Sequence, residues 1–206
     1  MRLFRPFIRS GLLFPAAIFR IKTQNKELCL SFDDGPDPGS TPGILDILKA
    51  HNIKALFFCS GQNAEKYPGL VNLILSAGHI PGNHGYRHLD GWKTPSKEYI
   101  ENVSEADRLT STVLFRPPYG RIRLSQYRRL AKKYSIVFWD LMPYDFDNKM
   151  GKDKMLMILK EKIRPGSIIV LHDTIGSTAL SFLNDFIDYA VNEGYNFVTP
   201  SFSGKN

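Results

Sequence analysis

Cysteine is scarce in this chain of 206 residues, which contains only Cys29 and Cys59. Two cysteines cannot build the disulfide framework of a small secreted scaffold. Both lie in apolar runs, which predicts buried, reduced thiols. Long hydrophobic runs are also lacking, since the apolar stretch from Gly11 to Phe19 is far shorter than the roughly 20 residues that span a bilayer. The sequence therefore favours a domain that folds around its own core.

No large excess of one charge sign is present either. The chain has 27 Lys and Arg against 20 Asp and Glu, a net charge of +7, and these charges are scattered. The densest basic stretch, Arg116 to Lys133, is typical of a solvated helix face, so we expect no nucleic-acid binding. Attraction to an anionic cell-envelope polymer is at least as compatible with this pattern. Hydrophobic residues at 43% and charged residues at 23% exclude a disordered chain or a coiled coil.

The first 25 residues form a separate segment in composition. Arginines flank an apolar stretch, as in a weak signal peptide, but no clear small-residue cleavage site follows. We interpret residues 1–25 as an N-terminal arm packed on a domain of residues 26–206. The alternative is a shallow, peripheral membrane contact through the apolar side chains Phe4, Phe7, Leu12 and Leu13 together with the arginines. Cytoplasmic, membrane-associated and envelope locations all stay open, as does the oligomeric state.

Strand-like and helix-like segments alternate along the chain. The apolar runs predict strands at Leu28–Phe32, Lys54–Phe58, His79–Gly82, Val113–Phe115, Ile136–Asp140, Ser167–Leu171 and Asn196–Val198. The intervening periodic segments predict helices that begin at Thr41 and at Pro68 and others over Ser96–Thr110, Ser125–Lys133, Asp153–Lys162 and Thr178–Asn192. This order is typical of a parallel α/β sheet, either open or closed into a barrel.

Polar side chains gather where the predicted strands end, which is where parallel α/β proteins place their active sites. They are Asp33, Asp34, His84, His88, Arg116, Asp140, Asp145, His172 and Asp173. The i, i+4 spacing of His84 and His88 would let both imidazoles reach one ion if the segment turns helically. Taken singly, several of these residues have a structural explanation: an Asx-type turn for Asp33 and Asp34, an incidental pair for His84 and His88, a hydrogen-bonded core position for His172 and an ordinary salt bridge for Arg116.

Two histidines and an aspartate compose a three-ligand site with an open face, as in catalytic zinc and in non-haem iron. A second, unligated carboxylate beside such a metal indicates hydrolysis, with that carboxylate as base and His172 as acid. An oxygenase would leave Asp33 and His172 without a joint role.

Five motifs occur in order along the chain: Ser31 to Pro36, His84 to His88, Arg116 to Tyr119, Asp145-Phe146 and Leu171-His172. Together they resemble the polysaccharide deacetylase (NodB-homology) family of carbohydrate esterases, over about Lys26 to Val198. The resemblance implies a distorted (β/α) barrel with about seven parallel strands. It also implies a metal-dependent hydrolase that removes N-acetyl groups from N-acetylhexosamine units of a glycan. Peptidoglycan, a chitooligosaccharide, an exopolysaccharide and a lipid-linked sugar all stay open as that glycan.

The resemblance assigns a role to each motif residue. It implies that Asp34, His84 and His88 bind one divalent ion, zinc first and cobalt, nickel or manganese as alternatives. The other implied roles are Asp33 as general base, Arg116 as the group that orients it, His172 as general acid, Asp145 as the carboxylate that tunes the acid, and Tyr119 as the backbone N–H donor to the oxyanion. Substrate contacts are implied for Leu171, Pro118 and Phe146, and Trp92 is a candidate sugar-stacking platform or an ordinary packing residue.

Three positions depart from the family pattern. Gly85 stands where Ser or Thr is usual, Met142 where an aspartate is common, and Phe146 where tryptophan is usual. None of them removes an implied metal ligand or acid–base group. We therefore expect them to affect which substrate is used and not the class of reaction. The alternative to an enzyme is a non-catalytic glycan-binding module on the same fold, because a fold alone does not determine function.

Overall fold

The computed structural model describes residues 4–6, 10–147 and 149–200. The predicted membrane contacts of Phe7 and of the arginines Arg2 and Arg9 therefore lie outside the described residues. Leu12 and Leu13 are exposed, and the peripheral membrane contact stays a prediction. No helix in the described ranges combines the length and the apolar character needed to cross a bilayer.

A single curved sheet of parallel strands organises the molecule and confirms the predicted distorted barrel. Its hydrogen-bonded order is β5-β4-β3-β2-β1-β6, and β7 pairs with the start of β1. The strands are β1 (Glu27–Asp33), β2 (Leu56–Cys59), β3 (Ile80–Asn83), β4 (Leu114–Phe115), β5 (Ser135–Ile136), β6 (Ile168–His172) and β7 (Asn196–Phe197).

Helices follow most strands and cover the outside of the sheet. They are α1 (Ser10–Leu13), α2 (Thr41–Ala50), α3 (Gly61–Lys66), α4 (Pro68–Ser76), α5 (Ser96–Thr110), α6 (Leu124–Leu130), α7 (Lys152–Lys162) and α8 (Ala179–Asn192), with a 3₁₀ turn at Pro118–Gly120. The sequence patterns did not predict α1 or α3. In α3 only Gly61 and Ala64 are buried, so no apolar periodicity marks it.

Side chains alternate across β1, and this alternation separates the outer core from the barrel interior. Leu28, Leu30 and Phe32 belong to the larger core under the helices. Cys29 faces the other side, within a cluster that includes Leu56 and Phe58. Cys29 and Cys59 are both buried and free, as predicted, and burial raises the pKa of Cys29 to about 12.

The gap between β5 and β6 is closed by the N-terminal arm. Ile18 forms a parallel bridge to Val137, and Arg20 an antiparallel one to Ser167. Further along, Leu141 bridges to Ile169 of β6. The predicted strand Ile136–Asp140 is wrong in its extent, because the chain leaves β4 after Ile136 and pairs first with the arm and then with β6.

Candidate active site

Asp33 and Asp34 are neighbours in sequence, but their carboxylates lie in different environments. Asp33 is the last residue of β1 and lies beside His172, the last residue of β6, in the strand register. Asp34 leaves the strand with φ of 74°. This left-handed conformation, which Asp tolerates better than most residues, turns its side chain towards the loop that carries the two histidines.

Asp34, His84 and His88 form a compact set of potential ligands. One ligand atom from each lies within 4.8 Å of the others. Asp34 Oδ1 is 3.0 Å from His88 Nε2 and 3.4 Å from His84 Nε2. The two histidines converge on Asp34 from a loop and not from a helical turn. Positive φ values at Gly85 (75°) and His88 (51°) fold that loop back on itself.

The donor atoms of this cluster fit a divalent cation. Asp34 Oδ1 is buried and lacks a hydrogen-bond partner. His84 Nδ1 lies 2.8 Å from the carbonyl oxygen of Arg116, which fixes the proton on Nδ1 and leaves the Nε2 lone pair for a metal. Burial alone would raise the pKa of Asp34, but the two imidazoles hold it well below its usual range.

Arg116 is a buried cation whose donors are bound on several sides. One guanidinium nitrogen lies 2.6 Å from Asp33 Oδ1 and 2.9 Å from the Ser31 hydroxyl. The others donate to the carbonyls of Val137 and Phe138, and the group stacks 4.0 Å above the ring of Phe58. Arg116 therefore fixes one oxygen of Asp33 and leaves the other, Oδ2, 3.8 Å from His84 Nε2.

His172 is tied to Asp145 by two contacts. Its Nδ1 lies 2.8 Å from Asp145 Oδ1, and its backbone N–H donates to Asp145 Oδ2 at 2.7 Å. The Ser177 hydroxyl also donates to Asp145. Burial by itself would lower the pKa of His172, but the carboxylate of Asp145, aided by those of Asp34 and Asp33, raises it to about 9.

The turn after β4 brings Tyr119 to His88. Tyr119 has φ of 59° and its ring lies 4.6 Å from that of His88. Next to it, Gly120 has no room for a side chain, since a Cβ there would lie 2.4 Å from the ring of Trp139. Trp139 therefore supports the turn from behind, a role that sequence reasoning missed and that only long-range packing reveals.

The predicted substrate contacts differ in where they lie. Leu171 is buried in the core under the helices, beside Phe32 and on the strand face opposite His172, so the structure does not bring it to the site. Pro118 is buried next to Tyr119. Phe146 is exposed, and its ring meets that of His172 at 4.7 Å in an edge-on arrangement. Trp92 is 59% exposed, which disfavours ordinary packing, and the Arg121 guanidinium lies between its ring and that of Tyr119, at 5.3 and 5.7 Å.

Two further aspartates at predicted strand ends take structural positions instead. Asp140 binds Arg5, Arg164 and Ser167 near the start of β6, so its predicted place among the site carboxylates is wrong. Asp173 is buried and accepts hydrogen bonds from Ser40 and Thr41 at 2.6 Å. Ser31 and Ser177, which sequence reasoning did not single out, hold Arg116 and Asp145. Ser31 was accessible to sequence reasoning, because it precedes Asp33 by two residues and shares its strand face.

Comparisons with known proteins agree with this geometry. The family model described as polysaccharide deacetylase matches residues 20–139. A peptidoglycan-N-acetylglucosamine deacetylase from Bacillus cereus is 35% identical over 183 residues, which is 84% of this chain and 66% of that protein. The chain thus covers just under two thirds of this curated relative.

Solved structures with the same fold include both an enzyme and a pseudoenzyme. A crystal structure of a peptidoglycan N-acetylglucosamine deacetylase with a bound hydroxamate-type benzamide superposes with a TM-score of 0.81 at 34% identity, covering 89% of this chain and 90% of that one. A CE4 family pseudoenzyme from Bacillus anthracis also gives 0.81, at 26% identity, covering 89% of this chain and 66% of that one. The side chains at the site, and not the fold, must therefore decide between activity and its absence.

Proposed function

Because this chain belongs to the polysaccharide deacetylase family, we propose that it hydrolyses N-acetyl groups from N-acetylhexosamine units of a glycan. One observation carries the proposal. Asp33 and His172, neighbours across β1 and β6, lie beside the cluster of Asp34, His84 and His88, with Asp33 Oδ2 3.8 Å from His84 Nε2. This combination suits amide hydrolysis, because it places a base for the attacking water and an acid for the departing amine next to one metal site.

The proposed roles follow from the hydrogen bonds of each side chain. A divalent cation held by Asp34, His84 and His88 would polarise the acetyl carbonyl and acidify the attacking water. Asp33, with one oxygen fixed by Arg116, accepts the proton of that water through its free oxygen. His172, kept protonated by Asp145, donates a proton to the departing amine. The backbone N–H of Tyr119 stabilises the oxyanion, and the exposed ring of Phe146, edge-on to His172, forms an apolar wall for the methyl group.

We propose zinc as the ion, with cobalt, nickel or manganese as replacements. Two imidazoles and one carboxylate with an open face compose a typical catalytic zinc site. Peptidoglycan is the first glycan to test, because the relatives named above carry that substrate in their names. A cell-envelope location follows from that substrate class and is part of the proposal.

Acetate release tests this function directly. The metal-loaded protein is incubated with peptidoglycan, chitooligosaccharides and an exopolysaccharide, next to the His84→Ala, His88→Ala double variant. We expect metal-dependent acetate release by the wild-type protein alone. Glycan binding without acetate release by the metal-loaded protein would instead favour a non-catalytic binding module on the same fold.

A further inference from the structure

A groove of about 890 Å³ adjoins the candidate site at Tyr119. Tyr119 lines this groove while its ring touches that of His88. Leu13 and Phe14 of the N-terminal arm line the groove as well. A ligand whose reacting group lies at the histidines can therefore extend from there onto the arm.

Apolar and aromatic side chains make up most of the lining of the groove, among them Phe138, Trp139 and Leu124. Among the described residues, its wall contains no carboxylate, carboxamide, serine or threonine. Sugar hydroxyls need donors and acceptors in number, because burying a polar group without a partner is costly. This wall suits a hydrocarbon chain.

The charged side chains that line the groove are Arg5, Arg121 and Arg123. Arg5 is bound to Asp140. Arg121 is paired with Asp90 at 2.7 Å. Arg123 is exposed and donates to the carbonyl oxygen of Trp92. No carboxylate lies within ion-pair distance of Arg123 among the described residues, so its charge is available to an anion.

We propose that this groove binds the hydrocarbon chain of an amphiphilic N-acetylated glycan, with an anionic linking group at Arg123 and the sugar at the histidines. The inference rests on the deacetylase function proposed above. It narrows the substrate class to glycans that carry a lipid chain through an anionic group.

Chain length is the first test. Turnover is compared for the methyl and dodecyl glycosides of N-acetylglucosamine, below the micelle concentration. We expect kcat/KM to be at least tenfold higher for the dodecyl glycoside, since each buried methylene contributes up to about fourfold. Equal kcat/KM for the two glycosides would overturn the inference and leave the deacetylase function intact.

Matched variants assign the effect to the groove. Leu13→Asp and Leu124→Asp place a charge in its wall, whereas Leu12→Asp and Leu75→Asp change exposed leucines outside it. The first pair is expected to lose the preference for the dodecyl glycoside and to retain turnover of the methyl glycoside. If all four variants lose the preference alike, a general surface or membrane effect explains it and the inference fails.

A binding measurement separates this inference from the proposed function. Tryptophan fluorescence is titrated with dodecyl phosphate, butyl phosphate and dodecyl maltoside, all below the micelle concentration. We expect dodecyl phosphate to bind at least tenfold more tightly than the other two. In Arg123→Gln, dodecyl phosphate should bind no more tightly than dodecyl maltoside. In the control Arg129→Gln, at the exposed end of α6, the difference in affinity should be kept. Failure of dodecyl phosphate to bind would refute the groove proposal even if acetate is released from a glycan. Binding of dodecyl phosphate without acetate release from any tested glycan or glycoside would refute the proposed function, and with it the substrate assignment, and would leave the groove as a binding site for a lipid anion.

Discussion

At the scale of single residues, the site depends on two adjacent carboxylates with different partners. Asp33 ends a strand and is fixed by a buried guanidinium, whereas the left-handed backbone of Asp34 turns its carboxylate to two imidazoles. The sequence shows that two aspartates are adjacent, but it does not show which of them faces the histidines and which faces the arginine. This difference depends on Arg116, which is 83 residues away from Asp33.

Because Asp33 and Asp34 have different partners, the effects of Asp33→Asn on metal content and on kcat can be predicted separately. The variant should keep its metal, because Asp33 is not among the three clustered ligands. It should lose about 10²- to 10⁴-fold in kcat, the usual contribution of a general base. Metal analysis and steady-state kinetics on the same sample check both halves. A variant that lost its metal would show that Asp33 is itself a ligand.

The pH dependence of the reaction is expected to be governed by His172 on its alkaline side. A general acid must carry its proton, so activity should be present below the pKa of about 9 and lost as the pH rises through it. A bound cation offsets the charges of Asp34 and Asp33, which leaves Asp145 as the partner that maintains the raised pKa. In Asp145→Asn, burial is no longer opposed, so the alkaline limb should move to lower pH and kcat should fall.

Ser177→Ala provides the matched control, because it removes one hydrogen bond to Asp145 and keeps the carboxylate. Its alkaline limb should stay in place. The measurement is a pH–rate profile of the three metal-saturated proteins. An unmoved limb with near-normal kcat in Asp145→Asn would mean that Asp145 does not tune His172.

At the scale of elements, the loop after β3 determines the geometry of the ligands. Gly85 has φ of 75°, and a Cβ there would lie 2.8 Å from Asn102 Nδ2. Gly85→Ala should therefore relax the loop away from the ligating geometry. A left-handed alanine costs about 1–2 kcal/mol, which corresponds to about a 5- to 30-fold weaker affinity for zinc if binding must restore the loop. Competition with a chelator measures this affinity.

Gly151→Ala is the control for this experiment, because nothing lies within 4 Å of a Cβ at Gly151. Its zinc affinity should equal that of the wild-type protein. An unchanged affinity in Gly85→Ala would show that a side chain is tolerated at this position and that the loop does not limit zinc binding.

Local patterns in the sequence predict some elements well and others poorly. Helix Ser96–Thr110 was predicted with the bounds that the structure shows, because its apolar positions recur with helical spacing. Helix α3 lacked this signal. The end of β5 depends on Ile18 and Ile169, which are distant in sequence and leave no local trace. For the same reason the site residues were identifiable by their position after strands, while the loop geometry of His84 and His88 and the support by Trp139 were not.

At the scale of the whole molecule, a buried carboxylate lies where the barrel closes. Asp140 lies where the arm, the chain after β5 and the start of β6 meet. Its carboxylate binds Arg5 and Arg164, and the Ser167 hydroxyl donates to it at 2.7 Å. Burial would raise the pKa of Asp140, but hydrogen bonds from Arg164, Ser167 and Arg5 lower it overall. Asp140 should therefore stabilise the folded state as an anion.

The expected consequence is a pH-dependent loss of stability in Asp140→Asn. Hydrogen bonds to charged groups contribute about 1.5–3 kcal/mol, and the arginines are partly exposed, so we expect a loss of about 2 kcal/mol in the free energy of unfolding at pH 7. The carboxylate has a lower pKa in the folded than in the unfolded state, where it is about 3.9. Its contribution is complete above that value and disappears as the pH falls through the folded-state pKa.

Urea unfolding of the metal-free proteins measures this contribution. The difference in free energy of unfolding between wild type and Asp140→Asn should be largest at pH 7 and should become smaller in acid. Asp185→Asn, at an exposed position on α8, is the control, and its free energy of unfolding should equal that of the wild type at pH 7 and in acid. If the free-energy difference for Asp140→Asn stayed the same in acid, then packing between the N-terminal arm and the barrel, and not the charge of Asp140, would hold the arm in place.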